Sequence, residues 1–279
     1  MIQPMASPTR PVLTSTANPR IRAAVALRER RARDRAGQTL VDGARELRRA
    51  LEAGATVEAA FICEPLLGGA DARAVLDKLQ SLGTAIQSVS ETVIARLAFG
   101  DRAEGMVAVV RIPSLELTDL VLPPDPLVVV IEGVEKPGNV GAVLRSVDGS
   151  GANALVAADA RTDLFNPNAI RASAGTIFSV PLAAASTTAT LAWLRGEGVR
   201  IVASRVDADG LYTAANLTGP LAIVLGAEVD GLSGEWTGPD IETVRLPMLG
   251  IADSLNISVS AAILLYEARR QRGARDDPA

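Results

Sequence analysis

Histidine is absent from this 279-residue chain. That removes the Ser/His/Asp and Cys/His nucleophile systems, histidine-bearing zinc sites and the commonest general base. Cysteine occurs once, at Cys63, which excludes an internal disulfide, points to a reducing compartment and makes a metal centre unexpected. Aromatics are 3% of the residues, so Ala, Val, Leu and Ile must pack the cores. No apolar run approaches the ~18 residues of a membrane-spanning helix. The first thirty residues carry arginines rather than an apolar block, so no secretory signal is expected and the protein reads as cytoplasmic.

Charge is present but unevenly placed. The whole chain carries −4, yet residues 1–50 hold eleven arginines against four acids, a local +7 that leaves −11 for the rest. Basicity built from arginine alone suits bidentate phosphate contacts. Arg20, Arg22, Arg28, Arg30 and Arg31, with Arg171 further on, are therefore candidate nucleic-acid contacts; a solvated helix face is the plainer alternative.

Residues 1–17 are polar and rich in Pro, Thr and Ser, which predicts a flexible arm. Asn18-Pro19 predicts a helix start, with the helix running to about Ala36 and stopped by Gly37. Short apolar strands then alternate with helices, giving a small α/β domain over 18–112. The prolines of 113–126 read as a linker, and alternation restarts in a second domain over 127–271, leaving 272–279 as a tail. The all-apolar run 127–131 has the pattern of a parallel strand buried on both faces.

Three segments of the second domain could carry chemistry. After the run 127–131 comes a Gly-bearing loop and a helix start, the usual anion or nucleotide position in an open α/β sheet. There Asn139 should sit at the helix start, Arg145 in the second turn and Gly141 where backbone approaches closely; a plain cap and a surface arginine are the alternatives. No G-x-G-x-x-G occurs, so a dinucleotide fingerprint is not supported. The strand 221–225 exits into Gly226, Glu228 and Gly231, a tight loop that could present backbone groups to a purine or ribose. Last, 246–267 runs from Pro247 through Met248, Leu249 and Ile251, apolar walls suited to adenine, to Ser254, Leu255 and Asn256 at a helix start capped by Asp253 or Ser254. The cluster 171–175 reads either as a phosphate-gripping turn or as a helix C-terminus.

Taken together and in this order, the segments resemble the three motifs of the SpoU/TrmH branch of the SPOUT RNA methyltransferases. Asn139, Gly141 and Arg145 fit the first, Gly226, Glu228, Gly231 and Leu232 the second, and Pro247, Met248, Gly250, Ser254, Leu255 and Asn256 the third. The resemblance implies a Rossmann-like parallel sheet ending in a deep trefoil knot, preceded by a small α/β substrate-binding domain similar to a ribosomal protein. It implies S-adenosylmethionine held by Leu225, Gly226, Glu228, Gly231, Leu246, Met248, Ser254, Leu255 and Asn256. It also implies a homodimer without metal and methylation of a ribose 2′-hydroxyl, with Arg145, Asn139, Glu228, Ser254 and Asn256 as catalytic candidates. Ribosomal RNA of the 23S type is the favoured target. A transfer RNA, a non-catalytic ribosome-assembly role on the same fold, and a Rossmann-type oxidoreductase are the competing readings.

Overall fold

The computed structural model describes residues 11–99, 104–227 and 230–273. The chain divides into two compact units, Met1–Ile112 and Pro113–Ala279.

The N-terminal unit runs α1 (Pro19–Ala26), α2 (Arg30–Ala36), β1 (Gln38–Asp42), α3 (Ala44–Glu52), β2 (Val57–Ile62), α4 (Gly69–Ser81), β3 (Ala85–Ser88), α5 (Glu91–Leu97) and β4 (Met106–Arg111). Its sheet has the order β1-β4-β2-β3, with β4 antiparallel to both neighbours and β3 parallel to β2. As expected, Asn18 caps α1 by accepting from the Arg20 amide at 2.9 Å. The single helix expected up to Ala36 is instead two. Arg33 is buried and its Nη1 donates to the Leu27 and Arg28 carbonyls at 2.8 and 2.7 Å. A guanidinium thus takes the carbonyls that a continuing helix would have used, and the chain breaks at 27–29.

Residues 11–17, read as part of a flexible arm, are tied to the 87–90 segment, with Gln87 Nε2 donating to Pro11 O at 2.9 Å. Leu13 bridges in parallel to Val89, donating to Ser88 O at 2.9 Å and accepting from Ser90 N at 3.0 Å. Residues 1–10 lie outside the described residues.

The C-terminal unit runs β5 (Leu127–Glu132), α6 (Pro137–Ser150), β6 (Ala154–Ala158), α7 (Pro167–Ala172), β7 (Leu182–Ala185), α8 (Thr187–Gly196), β8 (Arg200–Ser204), β9 (Leu221–Leu225), β10 (Ile241–Val244) and α9 (Ile257–Gln271). The six strands form one parallel sheet in the order β10-β8-β9-β5-β6-β7. All residues of the central β5 are buried, as the unbroken apolar run requires. Val128 and Val130 face a core shared with Leu191, Leu194 and Trp236. On α6, a Cβ at Gly141 would stand 2.5 Å from Ala169 O and 2.6 Å from Ser173 N. The close approach expected at Gly141 is therefore made by α7, not by a ligand.

The linker reading of 113–126 needs correction. Leu117, Leu120 and Leu122 pack on the C-terminal core, and Leu115 O accepts from Ala184 N at 2.8 Å. At the other end Arg272, read as tail, donates to the carbonyls of Leu217, Gly219, Asp125 and Pro126. Among the described residues no helix is long and apolar enough to cross a membrane.

Candidate functional site

In a parallel sheet every strand ends on the same edge, and loops leaving adjacent strands converge there. The loops after β8, β9 and β10, with the first turn of α9, enclose a cavity of about 370 Å³. Of the residues expected to hold a cofactor, Leu225, Gly226, Gly231, Leu246, Met248, Ser254 and Leu255 line it. Asn256 does not: it caps α9, accepting from Ser258 N at 2.9 Å, the role that Asp253 or Ser254 was expected to play. Leu249 and Ile251 are not walls but fully exposed, because past Pro247 the chain has left the sheet and nothing packs over it. Glu228 lies outside the described residues.

Gly226 and Ala227 lie close against Gly231 and Leu232. Gly231 N donates to Ala227 O at 3.0 Å, and a Cβ at Gly226 would overlap the Gly231 carbonyl group and Leu232 N. The far side of this contact is anchored by Glu132, buried at the end of β5. That carboxylate accepts from Ser233 N at 2.7 Å, Ser233 Oγ at 2.8 Å and Thr187 Oγ1 at 2.7 Å. Glu132 thus ties the cavity loop to the central strand and to the start of α8.

Sequence reasoning missed the exit of β8. Ser204, Arg205, Val206 and Asp207 form a further wall. Arg205 clamps Asp207 through Nε at 2.9 Å and Nη2 at 3.3 Å, and this contact holds the Asp207 carboxyl below its usual range. Arg205 Nη1 is buried without a hydrogen-bond partner. The signal lay in a polar Ser-Arg-Val-Asp leaving an apolar strand, but the strand order that puts it beside Leu225 is not written locally.

A smaller cavity, about 40 Å³, adjoins the first and shares Ala227, Asp230 and Ile257 with it; Asn139, Val134, Glu135 and Lys136 complete its lining. Here Asn256 Nδ2 donates to Asn139 Oδ1 at 3.2 Å across 117 residues of sequence. Arg161 Nη1 bridges Glu135 at 2.9 Å and Asp230 at 2.8 Å, joining the loops that flank both cavities.

The structure therefore brings together Asn139, Asn256, Ser254 and the glycine loop, and leaves Arg145 apart. Arg145 is exposed on α6 and lines neither cavity. The 171–175 cluster is a helix C-terminus: Ala174 and Gly175 turn left-handed, and buried Ser173 bonds Ile170 O at 2.8 Å. Among the described residues no group of Cys, Asp or Glu gathers as a metal site.

Comparison with known proteins places this geometry. The SpoU rRNA Methylase family profile matches residues 126–266, and the MRM3-like substrate binding domain profile matches 18–108. The 23S rRNA (guanosine-2'-O-)-methyltransferase RlmB of Vibrio parahaemolyticus is 33% identical over 204 residues, 71% of this chain and 83% of that protein. A crystal structure of an RNA 2'-O ribose methyltransferase superposes with a TM-score of 0.83 at 44% identity, over 94% of this chain and 99% of the other. The SpoU methyltransferase AviRb from Streptomyces viridochromogenes, solved with AdoMet, gives 0.84 at 29% identity over 92% and 99%. The chain belongs to the SpoU rRNA Methylase family.

Proposed function

We propose that this protein transfers the methyl group of S-adenosylmethionine to a ribose 2′-hydroxyl of 23S ribosomal RNA. One observation carries the reading: the glycine loop, the 246–255 segment and the Asn139–Asn256 pair, far apart in sequence, meet around adjoining cavities. The lining suits this cofactor. Leu225, Leu246, Met248, Leu255 and Ile257 offer an apolar slot for adenine. Asp207, Asp230 and Asp253 set carboxylates around a molecule that carries a sulfonium and an ammonium. The buried Arg205 Nη1 requires an acceptor, which a carboxylate or ring nitrogen of the cofactor would supply.

When bound, S-adenosylmethionine supplies an electrophilic methyl group. The chain's own task is then mainly positioning. Asn139 and Asn256 present amide groups at the smaller cavity, where they orient the incoming ribose. No histidine exists to take the hydroxyl proton. A guanidinium keeps its protons at physiological pH, so Arg145 binds the neighbouring phosphate and stabilises the oxygen as negative charge develops. Glu228 and Ser254 complete the set that orients ribose and cofactor.

Arg145 lies apart from its own cavities, and this supports a homodimer in which α6 of one protomer serves the site of its partner. Val259 and Tyr266, seven residues apart on α9, are about half exposed and share a face that such contact would cover. The trefoil knot belongs to the same reading: from the edge strand β10 the chain returns to pack α9 against α6 and β9 near the sheet centre. Action on ribosomal RNA supports a cytoplasmic location.

Incubation with methyl-labelled S-adenosylmethionine and ribosomal RNA, followed by mass spectrometry of nuclease fragments, tests the function. One 2′-O-methylated nucleotide in 23S RNA is expected; label in transfer RNA alone would move the substrate, and no label anywhere would sink the reading. Arg145→Lys should lower kcat by about 100-fold, the scale of one lost oxyanion contact, with cofactor affinity unchanged. Near-full activity would remove any role for the planar fork. Glu132→Gln should raise the KM for the cofactor about tenfold, the worth of one hydrogen bond to a carboxylate, with kcat little changed; an unaltered KM would show that the Ser233 anchor does not set the loop.

A further inference from the structure

We propose that the N-terminal unit holds a site for one unstacked nucleobase of the RNA substrate, in a slot between α1 and the sheet. This rests on the RNA reading above and adds a second point of recognition to it. The slot is a cavity of about 370 Å³ lined entirely by this unit. Its floor follows the ladder: Val109 on β4 pairs with Ala59 on β2, and Ala59 pairs with Ala85 on β3. Ala23 and Ala24 of α1 stand on the other side.

Leu27, Phe61, Ile86 and Val109 make the lining apolar, and its four alanines, Ala23, Ala24, Ala59 and Ala85, leave it space. A leucine at one of these positions would bury more apolar surface and strengthen a small core. The alanines forgo that gain and keep the slot open.

The rim is polar and already set. Glu58 is held by Arg111 at 2.6 Å, and the Gln87 amide donates to Pro11 O at 2.9 Å and Ser88 O at 3.0 Å. Gln38 adds a further carboxamide, and Arg20 stands exposed at the mouth. An apolar slot alone would accept any planar molecule. Arg20 at the mouth, with exposed Arg22 on the same helix and exposed Arg30 and Arg31 on α2, makes this part of the unit attractive to a phosphate chain. A phosphate chain that carries flat rings is a nucleic acid. Unstacked bases bound by their faces and read at their edges are the usual way in which single-stranded RNA is recognised.

Ala59→Leu fills the slot from the floor and Ala23→Leu from the exposed helix, where the sheet cannot be disturbed. Binding is read by fluorescence polarisation with a short mixed-sequence single-stranded RNA and with an abasic ribose-phosphate chain of equal length. The wild-type protein should prefer the base-bearing strand about tenfold, the scale of one stacking contact. Both variants should lose that preference while keeping the wild-type Tm or exceeding it, and cofactor titration should be unaffected. An unchanged preference in a folded variant, or no preference in the wild type, overturns the site. Absence of cofactor binding in the wild type would overturn the methyl-transfer reading instead, and leaves the slot measurement standing.

Discussion

Gly226→Ala should abolish useful cofactor binding, with a loss of at least about 100-fold in affinity, or about 3 kcal/mol, by isothermal titration. The new methyl would occupy the space of the Gly231 carbonyl group and Leu232 N, so the two limbs of the loop must separate. Both limbs are anchored next to the contact, one by β9 and the other by the Ser233–Glu132 hydrogen bonds. Gly231→Ala is the informative partner. Its φ is +66° but a Cβ there meets nothing within 4 Å, so only the left-handed backbone is penalised, by about 1 kcal/mol. Equal losses in the two variants would show that backbone strain, not overlap across the loop, governs the site.

The second large effect is on stability. Gly141→Ala should cost about 3 kcal/mol, the upper range for overpacking, and lower the Tm of the C-terminal unit by about 10 °C. The added methyl would press on Ala169 O at 2.5 Å and Ser173 N at 2.6 Å, both backbone atoms of the α7 region, so no side chain can swing aside. Calorimetry on the whole protein checks this. An unchanged Tm would mean that α6 and α7 separate freely, and that Gly141 is not held there by packing.

The contrast between these glycines shows what could be read in advance. Gly141 was recognisable as a point of close approach, yet its partner was not, because α7 (Pro167–Ala172) is short and only its end, at 171–175, showed as one of two readings. Strand β7 was missed for a related reason: Leu-Ala-Ala-Ala lacks the branched side chains that mark β1, β4 and β9. In those strands, and in α5 and α8, the local signals agree, with apolar runs, serine caps and glycine stops all marking the same elements. The break between α1 and α2 was not, since it depends on the buried Arg33, and charge alone suggested a surface residue. In the cavity, the walls from β9 and 246–255 were read from their glycines and apolar turn. The β8 wall was invisible until strand order placed Arg205 and Asp207 next to Leu225.

Arg272 has a consequence for how the molecule is made. Its guanidinium reaches the carbonyls of Asp125 and Pro126, just before the first strand of the unit, and those of Leu217 and Gly219, just before β9. Gln271 adds hydrogen bonds with Ala215 O and Leu217 N. The clasp that closes the entry to both central strands is thus made only after every strand of the unit has been synthesised. During synthesis the N-terminal unit can fold while the C-terminal one waits for its final turn of helix. A chain stopped one turn early would carry every wall of the larger C-terminal cavity and still lack the fastening that holds the sheet shut.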